Sequence, residues 1–186
     1  IDQATERLST LVKEILDIAH LQADPLILER RPVSFASLIA RLRGDLAATG
    51  QAARLVTIGV DDLPPLEVDA GRVGQILENI VGNALKYAPP DTPITVGATA
   101  AADWLTATID DEGAGIPEAD RALVLEPFHR GRHVRESSIQ GTGLGLYICR
   151  RLVEAHGGRL WVGDRSDHRA GTRVSFTLPL LSGAGA

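Results

Sequence analysis

The chain has 186 residues, enough for one compact domain with an appended element but tight for two full domains. Its net charge of −5 argues against a general nucleic-acid binder, whose footprint is basic, while 44% hydrophobic and 23% charged residues lie in the ordinary globular range. No apolar run reaches the roughly 18 residues of a spanning helix and no basic start precedes an apolar signal core, so the piece reads as soluble. The single Cys149 excludes an intramolecular disulfide and fits a reducing cytoplasm, with a core thiol as its ordinary role. The chain holds no methionine and opens inside a helical pattern, so a piece of a longer protein is expected, with a membrane anchor or a catalytic partner admissible upstream.

Over residues 1–23, Leu8, Leu11, Val12, Ile15, Ile18, Ala19 and Leu21 follow helical spacing in a broad stripe that needs another helix or another chain to cover it; Pro25 ends the pattern. Residues 29–33 read as an extended connector. Ser34 is the expected N-cap of a helix over 35–53 with Leu38, Ile39, Leu42, Leu46 and Ala47 on one face. Residues 55–60 alternate as a strand and stop at the Asp61-Asp62-Leu63-Pro64-Pro65 turn. Asp69 caps a helix predicted to run to Tyr87 or Ala88, before Pro89-Pro90, and strands follow over 94–98 and 104–109. Residues 128–140 lack periodicity and read as a mobile loop, 144–155 as a helix stopped by Gly157-Gly158, and 159–162 with 172–178 as a closing strand pair. This order predicts an α+β fold: a two-layer sandwich of a mixed, mainly antiparallel sheet with helices on one face, preceded by a separate helix, and without internal repeats.

Three segments carry chemistry. At about 100° per residue, Gln75, Asn79, Asn83, Lys86 and Tyr87 share one side of the third predicted helix, next to an apolar strip of Val73, Ile76, Leu77, Ile80 and Ala84. Asparagine has no propensity reason to recur at i,i+4 in a helix, and an amide oxygen is a hard ligand of the kind Mg²⁺ takes when it keeps its waters and substrate phosphates; a solvated helix face is the plain alternative. Asp111, just after a strand, can accept from an exocyclic amine such as adenine N6, with Gly113 and Gly115 admitting a flat base; an ordinary acidic turn has the same composition. Gly141, Gly143 and Gly145 lead into the last helix, whose first N–H groups favour phosphate, though a hinge needs the same residues. Their spacing is neither a dinucleotide fingerprint nor a Walker loop.

The stretch from Asn79 to Tyr87, Asp111-Glu112-Gly113-Ala114-Gly115-Ile116, Glu126-Pro127-Phe128-His129-Arg130-Gly131 and Gly141-Thr142-Gly143-Leu144-Gly145-Leu146 together resemble the N, G1, F and G2 boxes of bacterial sensor histidine kinases. His156-Gly157-Gly158 and Gly171-Thr172 match recurring later elements of that family. The resemblance implies a Bergerat-type ATP-binding catalytic domain over 34–181, part of a dimerisation and phosphotransfer helix over 1–28, a linker over 29–33 and a flexible tail over 182–186. It implies ATP and Mg²⁺ as cofactors, with Asn83 the Mg²⁺ ligand, Asn79, Lys86 and Tyr87 along the phosphates and ribose, and Asp111 with Gly113, Gly115, Ile116 and Thr172 around the adenine. Phe128 and Arg130 would belong to a closing lid, Arg130 would stabilise γ-phosphate charge beside Asn83 and Lys86, and Gly141, Thr142, Gly143, Leu144, Gly145 and Leu146 would border the phosphates.

The partners implied are a phosphoacceptor histidine domain of the same protein, a response-regulator receiver domain and a second copy dimerised through the first helix, with no nucleic acid. The implied location is cytoplasmic, as the cytoplasmic part of a membrane sensor where the parent carries an anchor. The family's acceptor motif, a histidine followed by an acidic residue, is absent: His20 precedes Leu21, and His129, His133, His156 and His168 lie in the lid, the glycine stop and a turn. Glu112, where the family often has Asn, and His129 are milder departures. His129 and His133 alone are too few ligands for a zinc site. A gate ATPase of the same superfamily and an ATP-sensing module without phosphotransfer are the competing expectations.

Overall fold

The computed structural model describes residues 27–129, 141–167 and 169–181; the predicted helix over 1–23, Arg130, His133, His168 and the predicted tail over 182–186 lie outside the described residues. Alternation builds the main sheet, broken in β7 by the buried Ser175. Ile94, Val96 and Ala98 of β4 (Ile94–Ala101), Leu105, Ala107 and Ile109 of β5 (Trp104–Asp110), and Val174, Phe176 and Leu178 of β7 (Arg173–Pro179) are buried, while the threonines between them are less so. With β2 (Leu55–Ile58) and β6 (Leu160–Gly163) at the edges, the order is β2-β4-β5-β7-β6. β2 runs parallel to β4, and every other pairing is antiparallel, as in Ala98↔Ala107 and Ala107↔Phe176.

Helices cover the apolar face. In α1 (Phe35–Ala48) Phe35, Leu38, Ile39 and Leu42 are buried, whereas Leu46 is only partly covered and Ala47 is exposed. The helix stops five residues before the sequence pattern predicts, because the Thr49 and Gly50 N–H groups turn back to Leu46 and Ala47 and a short 3₁₀ turn, Ala52–Arg54, leads into β2. Ser34 occupies the N-cap position but its side chain caps nothing; its carbonyl accepts from Ser37 and Leu38 instead. α2 (Ala70–Tyr87) buries Val73, Ile76, Leu77, Ile80, Val81 and Ala84 and packs most extensively on α4 (Gly145–Ala155). α3 (Glu118–Arg121) and the 3₁₀ turn Leu123–Leu125 fill the stretch after the first glycine segment.

The predicted connector over 29–33 becomes a strand. β1 (Arg31–Val33) pairs antiparallel with β3 (Leu66–Val68), which the Pro64-Pro65 turn hides from sequence periodicity. Leu66 also bridges Leu180, so this ribbon is stitched to the end of β7. Among the described residues no helix is long and apolar enough to cross a membrane.

One polar knot ties Glu29 and Arg30 to two helices. Asp69 caps α2, its Oδ1 accepting from the Gly71 and Arg72 N–H groups at 3.0 and 3.1 Å, and its Oδ2 accepts from Glu29 N–H at 3.1 Å. Burial opposes its ionisation, but the bonds from Arg72, Glu29 and Gly71 outweigh it and hold the carboxyl below the usual range. The Asp69 N–H donates to His156 Nε2 at 3.1 Å, while His156 Nδ1 lies 2.7 Å from the Leu152 carbonyl, and Arg30 Nη2 reaches the Ala155 carbonyl at 2.9 Å. A ring that accepts at Nε2 and donates at Nδ1 is neutral. Burial holds it so, depressing the imidazole below its usual 6.5; the Arg30 charge adds to this against the Leu152 carbonyl and Asp69 carboxylate.

Stability owed to neutral His156 is therefore fully present above the ordinary imidazole value and is lost as the pH falls below it, because the unfolded chain takes the proton first. His156→Phe should cost about 1–3 kcal/mol in denaturant unfolding near neutral pH by orphaning the Asp69 N–H, while the Leu152 carbonyl keeps the residue 156 backbone N–H. The gap between variant and wild type should narrow as unfolding is repeated toward about pH 5.5. A gap that does not change with pH would contradict the neutral-ring assignment.

Candidate functional site

α2 is a two-sided element. Its apolar side goes into the core, which at roughly 1.5–3 kcal/mol per large buried side chain fixes the helix's rotation about its own axis. That rotation leaves Asn79, Asn83 and Tyr87 half-buried and Lys86 exposed along one edge. Lys86 Nζ stands 5.1 Å from the Tyr87 ring centroid, close enough for a cation–π contact.

The second glycine segment lies against this edge. A Cβ built on Gly145 would sit 3.8 Å from Asn83 Nδ2 and 3.9 Å from Asn79 Cγ, and one on Gly141 would sit 2.7 Å from Lys86 Nζ and 3.6 Å from Tyr87 Oη. The two asparagines thus meet one end of the segment, and Lys86 with Tyr87 meets the other. Between them Gly143 has φ +75° and would carry its Cβ only 2.8 Å from the His129 carbonyl, a place for glycine alone. Thr142 Oγ1 accepts from Leu144 N–H at 3.3 Å, turning the chain into α4. Leu144 is buried and Leu146 packs against the core. Phe128, with φ +62°, is 67% exposed beside this crossing.

The first glycine segment closes the other end. Asp111 is buried at the end of β5, its Oδ1 accepting from Gly113 N–H at 2.7 Å and Thr172 N–H at 3.3 Å, and its own N–H donating to the Thr172 carbonyl at 3.0 Å. Burial raises its carboxyl above the usual range, opposed by the bonds from Gly113 and Thr172 and by the Arg165 charge. A Cβ on Gly113 would lie 3.1 Å from the Tyr87 carbonyl, so the Asp111 turn abuts the C-terminal end of α2. Gly115 approaches the Gly171 carbonyl, and Ile116 packs against the core. Every predicted site residue among those described, apart from exposed Phe128 and the packed Ile116, Leu144 and Leu146, therefore lies along α2 or in a turn that abuts it or its Asp111 neighbour.

Residues 68–182 match the family described as "Histidine kinase-, DNA gyrase B-, and HSP90-like ATPase". The chain belongs to this ATPase family. Its ATPase domain is of the histidine kinase type. It is 33% identical over 185 residues to the adaptive-response sensory kinase SasA of Synechococcus elongatus, covering 96% of this chain and 47% of that protein. To the sensor histidine kinase WalK of Bacillus subtilis it is 33% identical over 180 residues, covering 94% of this chain and 29% of that protein. The chain thus spans about half the length of these curated relatives, or less. Among solved structures, full-length ShkA in complex with AMPPNP superposes with a TM-score of 0.79 at 27% identity, covering 96% of this chain and 37% of that one. The mycobacterial sensor histidine kinase MprB gives 0.66 at 28% identity, covering 81% of this chain and 97% of that one.

Sequence reasoning expected Cys149 as a core thiol, and it is one, but missed its contact with Asn79 and two further supports of the site. Cys149 is fully buried, its thiol bonded to the Asn79 side chain and 3.7 Å from the Ile76 carbonyl, and burial pushes its pKa up to about 12. Arg150 Nη1 holds Glu126 at 2.9 Å, which anchors the chain on α4 just before Phe128. Arg165 reaches the Asp111 carbonyl at 3.3 Å. These partners are 24 to 73 positions apart, and no local pattern signals them.

Gly171 tests the packing beside the Asp111 turn. With φ +140°, its Cβ would fall 1.9 Å from the Asp111 carbonyl oxygen, whereas nothing lies within 4 Å of a Cβ on Gly163. Gly171→Ala should lose about 3 kcal/mol or more in denaturant unfolding and Gly163→Ala no more than about 1 kcal/mol. Similar values for the two would contradict the contact between the Asp111 turn and the turn before β7.

Proposed function

We propose that the chain binds Mg-ATP along the polar edge of α2 and, in its parent protein, supplies the γ-phosphoryl group to a histidine lying outside this sequence. The observation that carries the reading is that one helix edge meets both glycine segments: Gly145 at Asn79 and Asn83, Gly141 at Lys86 and Tyr87, Gly113 at the Tyr87 carbonyl. A single elongated ligand with a base at one end and phosphates at the other suits this arrangement. The family match, the kinases among the relatives and AMPPNP in ShkA support it. That SasA and WalK are kinases favours phosphotransfer over a gate or a sensing module.

In this reading Asp111 accepts from the adenine amine, with Thr172 holding its carboxylate and Gly113, Gly115 and Ile116 around the base. Lys86 neutralises phosphate charge, Asn79 and Tyr87 orient phosphate and ribose, and residues 141–146 border the phosphates. Phe128 and Arg130 form the lid, with Arg130 set against developing γ-phosphate charge. The side chains facing Gly145 are the Asn79 and Asn83 amides; an amide carries a hard oxygen that suits Mg²⁺ shared with phosphates, and Asn83, whose Nδ2 is the atom toward Gly145, would hold the ion through its Oδ1. Bound there, the ion would neutralise phosphate charge.

The acceptor domain, a receiver domain that takes the phosphoryl group onward, and dimerisation through residues 1–28 belong to the same proposal, as does a cytoplasmic location. Neither described histidine suits the acceptor role: His156 is 1% exposed and hydrogen-bonded at both nitrogens, and His129 sits beside the lid.

Asn83→Ala should weaken ATP binding about tenfold or more in the presence of Mg²⁺, by titration calorimetry, with an unchanged melting temperature. Unaltered affinity would remove Asn83 from the site. Incubated with γ-labelled ATP, the 186-residue chain should carry no acid-labile label of its own. Label on any of its histidines would overturn the placement of the acceptor elsewhere.

A further inference from the structure

Arg165 has no part in the proposed nucleotide contacts, yet it is the most connected side chain at the base end. Its side chain is only 12% exposed. Nε and Nη2 grip the Asp167 carboxylate at 3.0 and 2.7 Å, and Nη1 reaches both Glu112 Oε1 at 3.2 Å and the Asp111 backbone carbonyl at 3.3 Å. The arginine therefore clamps the turn before β7 onto the turn after β5 through one acidic side chain, Glu112, and one carbonyl, that of Asp111, while Asp167 of its own turn orients it.

That carbonyl matters because of how Asp111 is held. Its Oδ1 is occupied by the Gly113 and Thr172 N–H groups, so the direction of the rest of the carboxylate depends on where the residue 111 backbone sits. Two contacts fix that backbone: Asp111 N–H to the Thr172 carbonyl at 3.0 Å, and Arg165 to the Asp111 carbonyl. Gly171 leaves the room, since its Cβ would strike both the Asp111 carbonyl oxygen and Arg165 Cδ, at 2.7 Å for the latter. We infer that Arg165, oriented by Asp167 and Glu112, is a positioning residue that sets base selectivity by fixing the backbone from which Asp111 presents its carboxylate. The inference rests on the assignment of Asp111 to the adenine amine. A base without that amine gains nothing from the alignment, so loss of Arg165 must weaken ATP selectively.

The test measures ATP and GTP affinities of the full 186-residue chain by titration calorimetry, with thermal melting as a folding control. Wild type should prefer ATP, and Asp111→Asn should abolish the preference. Arg165→Ala should lower ATP affinity about tenfold with GTP affinity unchanged, so that the ratio falls about tenfold. Asp167→Ala, at an exposed site, should lower the ratio in the same direction, about threefold, and decides the matter if Arg165→Ala does not fold. Preference lost in Asp111→Asn but intact in both other variants would overturn the role of Arg165 alone, as would parallel falls in ATP and GTP affinity. A wild type without preference, or an Asp111→Asn variant that keeps it, would overturn the base-end assignment and the inference with it.

Discussion

The site depends on the rotational setting of α2. An 18-residue helix with six large or medium apolar side chains in the core cannot turn without withdrawing them, and this fixes which direction Asn79, Asn83, Lys86 and Tyr87 face. Their polarity is tolerated because the edge is half-buried or exposed against the glycine segments, and the Asn79 amide also meets the Cys149 thiol. The N-terminal end of the same helix is held by Asp69, and its C-terminal end abuts the Asp111 turn. The helix is thus registered along its axis as well as around it.

The second constraint is close approach. Side chains at Gly143 and Gly171 would strike the His129 and Asp111 carbonyls respectively, so these glycines set how closely backbone meets backbone around the site, whereas one at Gly141 would meet only the movable end of Lys86. Behind them stands a layer that touches no proposed ligand: Cys149 against Asn79, Glu126 with Arg150, and Arg165 with Asp111, Glu112 and Asp167. The His156–Asp69 knot belongs to the same class. It joins the segment from Glu29 and Arg30 to one end each of α2 and α4.

Much of this was legible because the decisive signals are local. The period of 3.6 along α2, the Asp69 cap and the alternation in β4, β5 and β7 each follow from spacing within one segment, and the box-like stretches keep their order. What escaped is non-local or short. β1 and β3 have three residues each, and only their pairing and the Leu66–Leu180 bridge make them strands. α1 ends at Ala48 because its last carbonyls turn back on Thr49 and Gly50, although the apolar pattern runs on. Ser34 has the right residue type for a cap and makes no cap bond. The supports at Cys149, Arg150 and Arg165 have partners far along the chain, which periodicity does not reveal.

In the proposed function the two glycine segments are opposite ends of one ligand site on α2. Amide hydrogen exchange with and without Mg-ATP tests it most directly, because it reads residues 111–115, 141–146 and the last turns of α2 in one experiment. All three should slow together on adding nucleotide. Protection confined to one glycine segment, or to neither, would contradict it.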